Sequence, residues 1–192
     1  VGHSQGGIQA FYAAGKKPQL VAGLYSEDIA PHFAANKRHV GSAFIGALKN
    51  IGAELGKALA ADEQGSGMAA RIAGVSLGGD ITFGDVRSDE QLQIMADGVL
   101  QMDPKIFTTF FEDDSVPSFD LDDTIRAIQC PVHFAYGVPE LGGLFVESDL
   151  DDLRDKGCDV TSTNFDGVGH SVHFDALEPF VEDLAAFLER VD

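Results

Sequence analysis

The sequence has no tryptophan, only two cysteines, and 13 Lys and Arg against 31 Asp and Glu. It has no apolar run near the roughly twenty residues that a membrane-spanning helix needs, so no membrane span is expected. The formal net charge of -18 repels polyanions and argues against nucleic acid as a partner. The acids are scattered, with small groups at Glu112-Asp113-Asp114 and Asp149-Leu150-Asp151-Asp152, and read as a solvated surface. Cys130 and Cys158 match no zinc-ligand spacing and read as reduced packing residues, which fits a cytoplasmic location. No charged-then-apolar leader is visible. The chain opens on Val1 rather than Met, so that lack decides nothing.

What is present is a chain of 192 residues, long enough for one core. A glycine-rich turn, Gly2 to Gly7, leads into a short apolar helix through Phe11 and Tyr12, which Gly15 is expected to end. Leu20 to Tyr25 is a continuous apolar run of strand length. From His32 to Phe119 the sequence reads as helical with glycine breaks. Phe44, Ala47, Leu48, Ile51, Leu55 and Leu59 share one helical face. Gly65-Ser66-Gly67 and Gly74 to Gly84 read as loops. Ser88 with Gln91 reads as a capping box, and Asp103-Pro104 as a further helix start. Met95 and Met102 read as core filler. The end alternates again: a strand at Val132–Tyr136, a polar helix at Leu150–Lys156, a strand at Asp159–Phe165 and a last helix from Pro179. The buried face of that helix is expected at Phe180, Val181, Leu184, Phe187, Leu188 and Val191. Strands separated by helices imply right-handed crossovers and a parallel sheet, so the fold class is α/β. Three strands are too few to cover both faces of such a sheet.

Gly2-His3-Ser4-Gln5-Gly6 matches G-x-S-x-G. Small residues there let the backbone turn sharply from strand to helix and lift a serine oxygen above the sheet edge. The helix that follows offers free N–H groups and a positive dipole end to a developing oxyanion, with Gln5 N–H as the first donor. A second match, Gly74-Val75-Ser76-Leu77-Gly78, is followed by a poor helix and reads as a loop. Six histidines could serve Ser4 as base. His170 sits in a loop between the last strand and the last helix, where open α/β sheets build their sites. His173 reads as structural or pocket-lining, His133 as packed and His3 as support for the turn. His32 and His39 open the middle region. The orienting acid is expected at Glu140, in the loop after Val132–Tyr136, with Asp28 at the end of the earlier strand as the alternative. The order Ser, acid, His along the chain holds for either.

These segments resemble the α/β-hydrolase fold family. Gly2 to Pro31 is similar to that family's nucleophile elbow, following helix and next strand. Ile128 to Gly137 is similar to its acid strand, and Gly169-His170 with Pro179-Phe180 to its histidine loop and last helix. The resemblance implies a partial α/β-hydrolase fold: core at 1–31 and 120–192, with a helical cap inserted at 32–119. It implies Ser4 as nucleophile, His170 as base and Glu140 as acid, although the family usually has Asp at the acid position. The front half of the fold has no counterpart, so a partial chain is expected, completed by a missing N-terminal segment or a second chain. The activity implied is cleavage of a small, partly apolar carboxylic ester, judging from Phe44, Phe107, Phe110 and Phe111, with no metal or cofactor. C–C bond, lactone or amide hydrolysis, perhydrolysis, and a non-catalytic receptor on the same scaffold remain as alternatives.

Overall fold

A computed structural model of the chain describes residues 1–38, 42–109 and 120–191. His39, Phe110, Phe111 and the Glu112-Asp113-Asp114 group lie outside the described residues. The chain divides into two compact units, one formed by 1–38 with 118–192 and the other by 39–117.

The first unit is built on a four-stranded parallel sheet in the order β1-β2-β5-β6. The strands are β1 (Gly2–His3), β2 (Leu24–Glu27), β5 (Val132–Tyr136) and β6 (Val160–Asn164). Only three of them are legible as strands in the sequence, because β1 is two residues long. Every residue of β2 and β5 is buried, as expected where helices cover both faces of a parallel sheet. Strand alternation sorts the side chains. Leu24, Val132, Phe134 and Tyr136 enter one core with Phe11 and Ala14 of α1 (Gln5–Lys16), Ile125 of α8 (Leu121–Arg126) and Leu153 of α9 (Ser148–Asp155). Tyr25 and Ala135 enter a second core with Val172 of α10 (Val172–Asp175) and with Phe180 and Phe187 of α11 (Leu177–Val191). The short helix α2 (His32–Ala35), expected in the insertion, also belongs to this unit, where His32 Nε2 meets Asp152 Oδ2 at 2.7 Å.

Several expected boundaries shift. α1 continues through Gly15 to Lys16, and a Cβ at Gly15 would lie 2.9 Å from the Thr124 carbonyl oxygen. Glycine there lets α8 approach closely instead of capping the helix. The run from Leu20 is not strand throughout: Pro18–Leu20 is a 3-10 turn and β2 starts at Leu24. α11 begins two residues before Pro179, which falls in its first turn, where a missing N–H costs nothing. Its buried face is narrower than the apolar pattern suggests: Val181 and Leu188 are exposed.

The second unit contains α3 (Ala43–Ala60), α4 (Gly65–Ala73), the antiparallel pair β3 (Ser76–Gly78) and β4 (Ile81–Thr82), α5 (Phe83–Val86), α6 (Asp89–Val99) and α7 (Ile106–Thr109). Ile51, Leu55, Met68, Ile72, Leu77, Phe83, Leu92 and Ala96 form its core. Two segments that read as glycine loops are therefore ordered elements. Burial of Met68 and Ile72 outweighs the poor helix propensity of Gly65 and Gly67, and the second G-x-S-x-G lies in a hairpin. Ser88 and Gln91 form the capping box of α6, with Gln91 N–H donating to Ser88 Oγ at 3.2 Å. At Asp103-Pro104 the carboxylate accepts the Lys105 N–H and the helix begins only at Ile106. Phe44 and Phe107 pack against this unit's core and are accounted for by packing.

Candidate active site

Ser4 connects β1 to α1 with φ 53 and ψ -126. An L-residue there is strained by about 1–3 kcal/mol, and such strain persists only where its surroundings enforce it. Close approach enforces it here. A Cβ on Gly2 would lie 2.4 Å from the Gly6 carbonyl oxygen, and one on Gly7 would lie 2.3 Å from Ile29 Cγ2. The Ser4 N–H donates to the Glu27 carbonyl at 3.2 Å, which ties the corner to β2. The Ser4 carbonyl accepts from Gly7 N–H at 2.9 Å. Gln5 N–H, at the first position of α1, has no acceptor within the helix and shares the positive end of its dipole.

His170 lies in the loop between β6 and α10 and is 3% exposed. The carboxylate facing it is Asp28, at the end of β2, where Asp28 Oδ2 accepts from His170 Nδ1 at 2.7 Å. Asp28 is fully buried, at φ 51, and takes two backbone donors as well: Leu144 N–H at 2.7 Å and Gly137 N–H at 3.1 Å. Burial raises this carboxyl and the N–H groups of Leu144, Gly137 and Phe145 offset part of that rise, which leaves it at about 8. The loop after β5 thus supplies the donors that favour its ionised form against burial.

That loop was expected to contribute the acid itself. Instead Glu140 stands exposed in the 3-10 turn Pro139–Leu141, and the Nδ1 position of His170 is taken by Asp28. The correction has a simple origin. β2 and β5 are adjacent and parallel, so both end at the same edge of the sheet, and an acid after either one reaches the same place. The loop after β5 supplies backbone donors and the end of β2 supplies the carboxylate.

His3, the residue before Ser4, connects the two halves of the site. Its Nε2 lies 3.1 Å from the His170 carbonyl oxygen, and the two rings are 4.6 Å apart. A carbonyl only accepts, so His3 Nε2 carries the proton. Burial and then the neighbouring His170 push this imidazole down to about 4, which keeps it neutral near pH 7. His173 Nδ1 lies 2.8 Å from Glu27 Oε1. His133 pairs with Asp183 and Thr161 on the face that packs against α11, away from the site. His32 pairs with Asp152. Ser76 is exposed on β3 in the other unit, with no helix directly after it. Cys130 and Cys158 are both free thiols.

A parallel sheet, a strained serine corner opening a helix, and an acid–imidazole pair from later strand ends define the class: the chain carries part of an α/β-hydrolase fold. Solved structures agree. The chain aligns over 99% of its length with a carboxylesterase of the thaumarchaeon Nitrososphaera gargenis, at TM-score 0.65 and 15% identity. It aligns over 99% with a proline iminopeptidase of Mycobacterium smegmatis, at TM-score 0.58 and 19% identity. It aligns over 95% with an N-formylmaleamic acid deformylase of Pseudomonas putida, at TM-score 0.57 and 15% identity. The chain spans 64% of the length of each of these three proteins. No family model and no curated protein matches the sequence. Among the described residues no helix is long and apolar enough to cross a membrane.

Proposed function

We propose that this chain carries the catalytic residues of a serine hydrolase that cleaves a small carboxylic ester through an acyl-enzyme. The observation that carries the reading is the buried Asp28–His170 pair at the sheet edge where the strained Ser4 corner opens α1. In that reading Ser4 is the nucleophile and His170 the general base. Asp28 Oδ2 accepts the Nδ1 proton and so fixes the tautomer in which Nε2 has the lone pair. His170 Nε2 takes the Ser4 Oγ proton as Oγ attacks the acyl carbonyl. The imidazolium that forms is stabilised by the Asp28 carboxylate and returns the proton to the departing alkoxide. Water, deprotonated by the same nitrogen, then releases the carboxylic acid. Gln5 N–H is one donor to the oxyanion, and loss of such a donor costs about 10² to 10³ in rate.

The same groups serve amide chemistry, and the similar solved structures include a deformylase and an iminopeptidase as well as a carboxylesterase. The test has two arms. A fluorophosphonate probe is expected to label the protein at Ser4, located by peptide mass spectrometry, and Ser4→Ala is expected to abolish labelling. A panel of short acyl esters, anilides and lactones then ranks the bond by kcat/KM, with esters expected first. Labelling that survives Ser4→Ala, or none in the unaltered protein, would overturn the reading.

A further inference from the structure

His3, Glu27 and His173 are not needed for the acyl transfer described above, yet they converge on one point beside it. One potential ligand atom from each lies within 4.8 Å of the other two. The convergence is built into the fold. His3 and Glu27 are register partners on β1 and β2, so their side chains leave the same face of the sheet side by side. His173 arrives from α10, after the His170 loop, with its backbone N–H donating to Glu27 Oε1 at 2.8 Å.

The three groups differ in exposure in a way that suits an ion. The Glu27 side chain is 3% exposed and that of His173 is 44% exposed. A carboxylate therefore lies at the bottom and an imidazole at the mouth, open to solvent. His3 is held in orientation by the contact of its Nε2 with the His170 carbonyl, the kind of outer contact that fixes the rings of metal-binding histidines. Two imidazoles and one carboxylate are a donor set for zinc and its neighbours. Magnesium and calcium prefer oxygen ligands throughout. Around a tetrahedral ion with bonds near 2.1 Å, ligand atoms stand about 3.4 Å apart, a spacing within the 4.8 Å that holds the three atoms here, and His173 Nδ1, now 2.8 Å from Glu27 Oε1, would exchange that contact for the ion.

We propose that His3, Glu27 and His173 form a binding site for one zinc-type divalent transition-metal ion, with the remaining coordination position open to water. The ion would link β1, β2 and α10, and so fasten the residue before Ser4 to the segment after His170. The site stands on its own ligand geometry and does not depend on which bond the protein cleaves.

The test is calorimetric titration of the metal-free protein with zinc sulfate, with magnesium chloride as the control. One zinc per chain is expected to bind and to raise the thermal midpoint, with neither effect from magnesium. Cobalt(II) is expected to give the strong visible absorption of a four-coordinate N/O site. His173→Ala removes an exposed side chain, so its fold is expected to persist by circular dichroism, and zinc affinity is expected to fall at least about tenfold. Glu27→Gln is the second variant and is expected to lose the cobalt spectrum. No saturable zinc binding in the unaltered protein would overturn the proposal. So would unchanged affinity in a folded His173→Ala protein, which would put the ion at another histidine–carboxylate pair such as His133–Asp183.

Discussion

Asp28 Oδ2 and His170 Nδ1 meet at 2.7 Å across a sequence separation of 142 positions, with both side chains almost wholly buried. The pair makes the acid assignment decidable. In the proposed mechanism, Asp28→Asn keeps the side-chain shape but removes the carboxylate that would stabilise the imidazolium and fix its tautomer. A loss of about 10³-fold or more in kcat is expected. Glu140→Gln alters an exposed side chain and is expected to change kcat less than about twofold. Parallel kinetics on the two variants check this. A large loss at Glu140 with little at Asp28 would return the acid to the loop after β5.

What the sequence reveals here follows the range of the interaction. The Ser4 corner is legible because its demands are local: small residues within three positions and a helix directly after. His170 is legible because it lies in a loop between a clear strand and a clear helix. Asp28 against Glu140 is not decidable locally, since the N–H groups that hold Asp28 come from Gly137 and Leu144, more than a hundred positions away. β1 escapes because two residues show no alternation. The β3–β4 hairpin and α4 escape because their glycines read as breaks, while Met68, Ile72 and Leu77 gain more by burial than those glycines cost. Val181 and Leu188 show the reverse: the pattern is apolar, but α11 has no described partner on that side.

Strain at Ser4 leads to a second prediction. The serine holds φ 53, where glycine is at ease and alanine is not. Ser4→Gly and Ser4→Ala should both be inactive. The glycine variant should be the more stable of the two by about 1 kcal/mol, because it releases backbone strain that alanine retains. Urea denaturation of both variants measures the difference. Equal midpoints would mean that the corner stores no strain.

The glycines around the corner are not equivalent. A Cβ on Gly6 meets nothing within 4 Å among the described residues, whereas one on Gly7 would lie 2.3 Å from Ile29 Cγ2 and 2.6 Å from Ser26 Oγ. Gly6→Ala should leave stability unchanged or raise it by up to about 1 kcal/mol, since alanine is the better helix former. Gly7→Ala must displace Ile29 or Ser26 and should cost about 1–3 kcal/mol. Thermal midpoints of the two variants would separate them, and the opposite order would contradict the packing at the start of α1.

His133 makes the stability of the first unit depend on pH. Its Nε2 meets Asp183 Oδ2 at 3.0 Å and its Nδ1 meets Thr161 Oγ1 at 2.8 Å, while Tyr25 stacks on the ring and donates its hydroxyl to the same Asp183 carboxylate. A carboxylate only accepts, so Nε2–H is the donor and the neutral ring accepts from Thr161 at Nδ1. Burial lowers the pKa of this imidazole, partly offset by Asp183 and reinforced by Arg190. In the unfolded chain a histidine titrates near pH 6.5, above the folded value. Between the two values the unfolded state binds more protons. The stabilisation is therefore complete above about pH 6.5 and lost as pH falls through the folded pKa, with a limiting slope of about 1.4 kcal/mol per pH unit. His133→Gln has no such proton to exclude. Between pH 7.5 and pH 5 its unfolding free energy should fall less than that of the unaltered protein, even where the variant is less stable at pH 7.5. Urea unfolding at a series of pH values measures both curves, and parallel curves would show that protons do not act on stability through this ring.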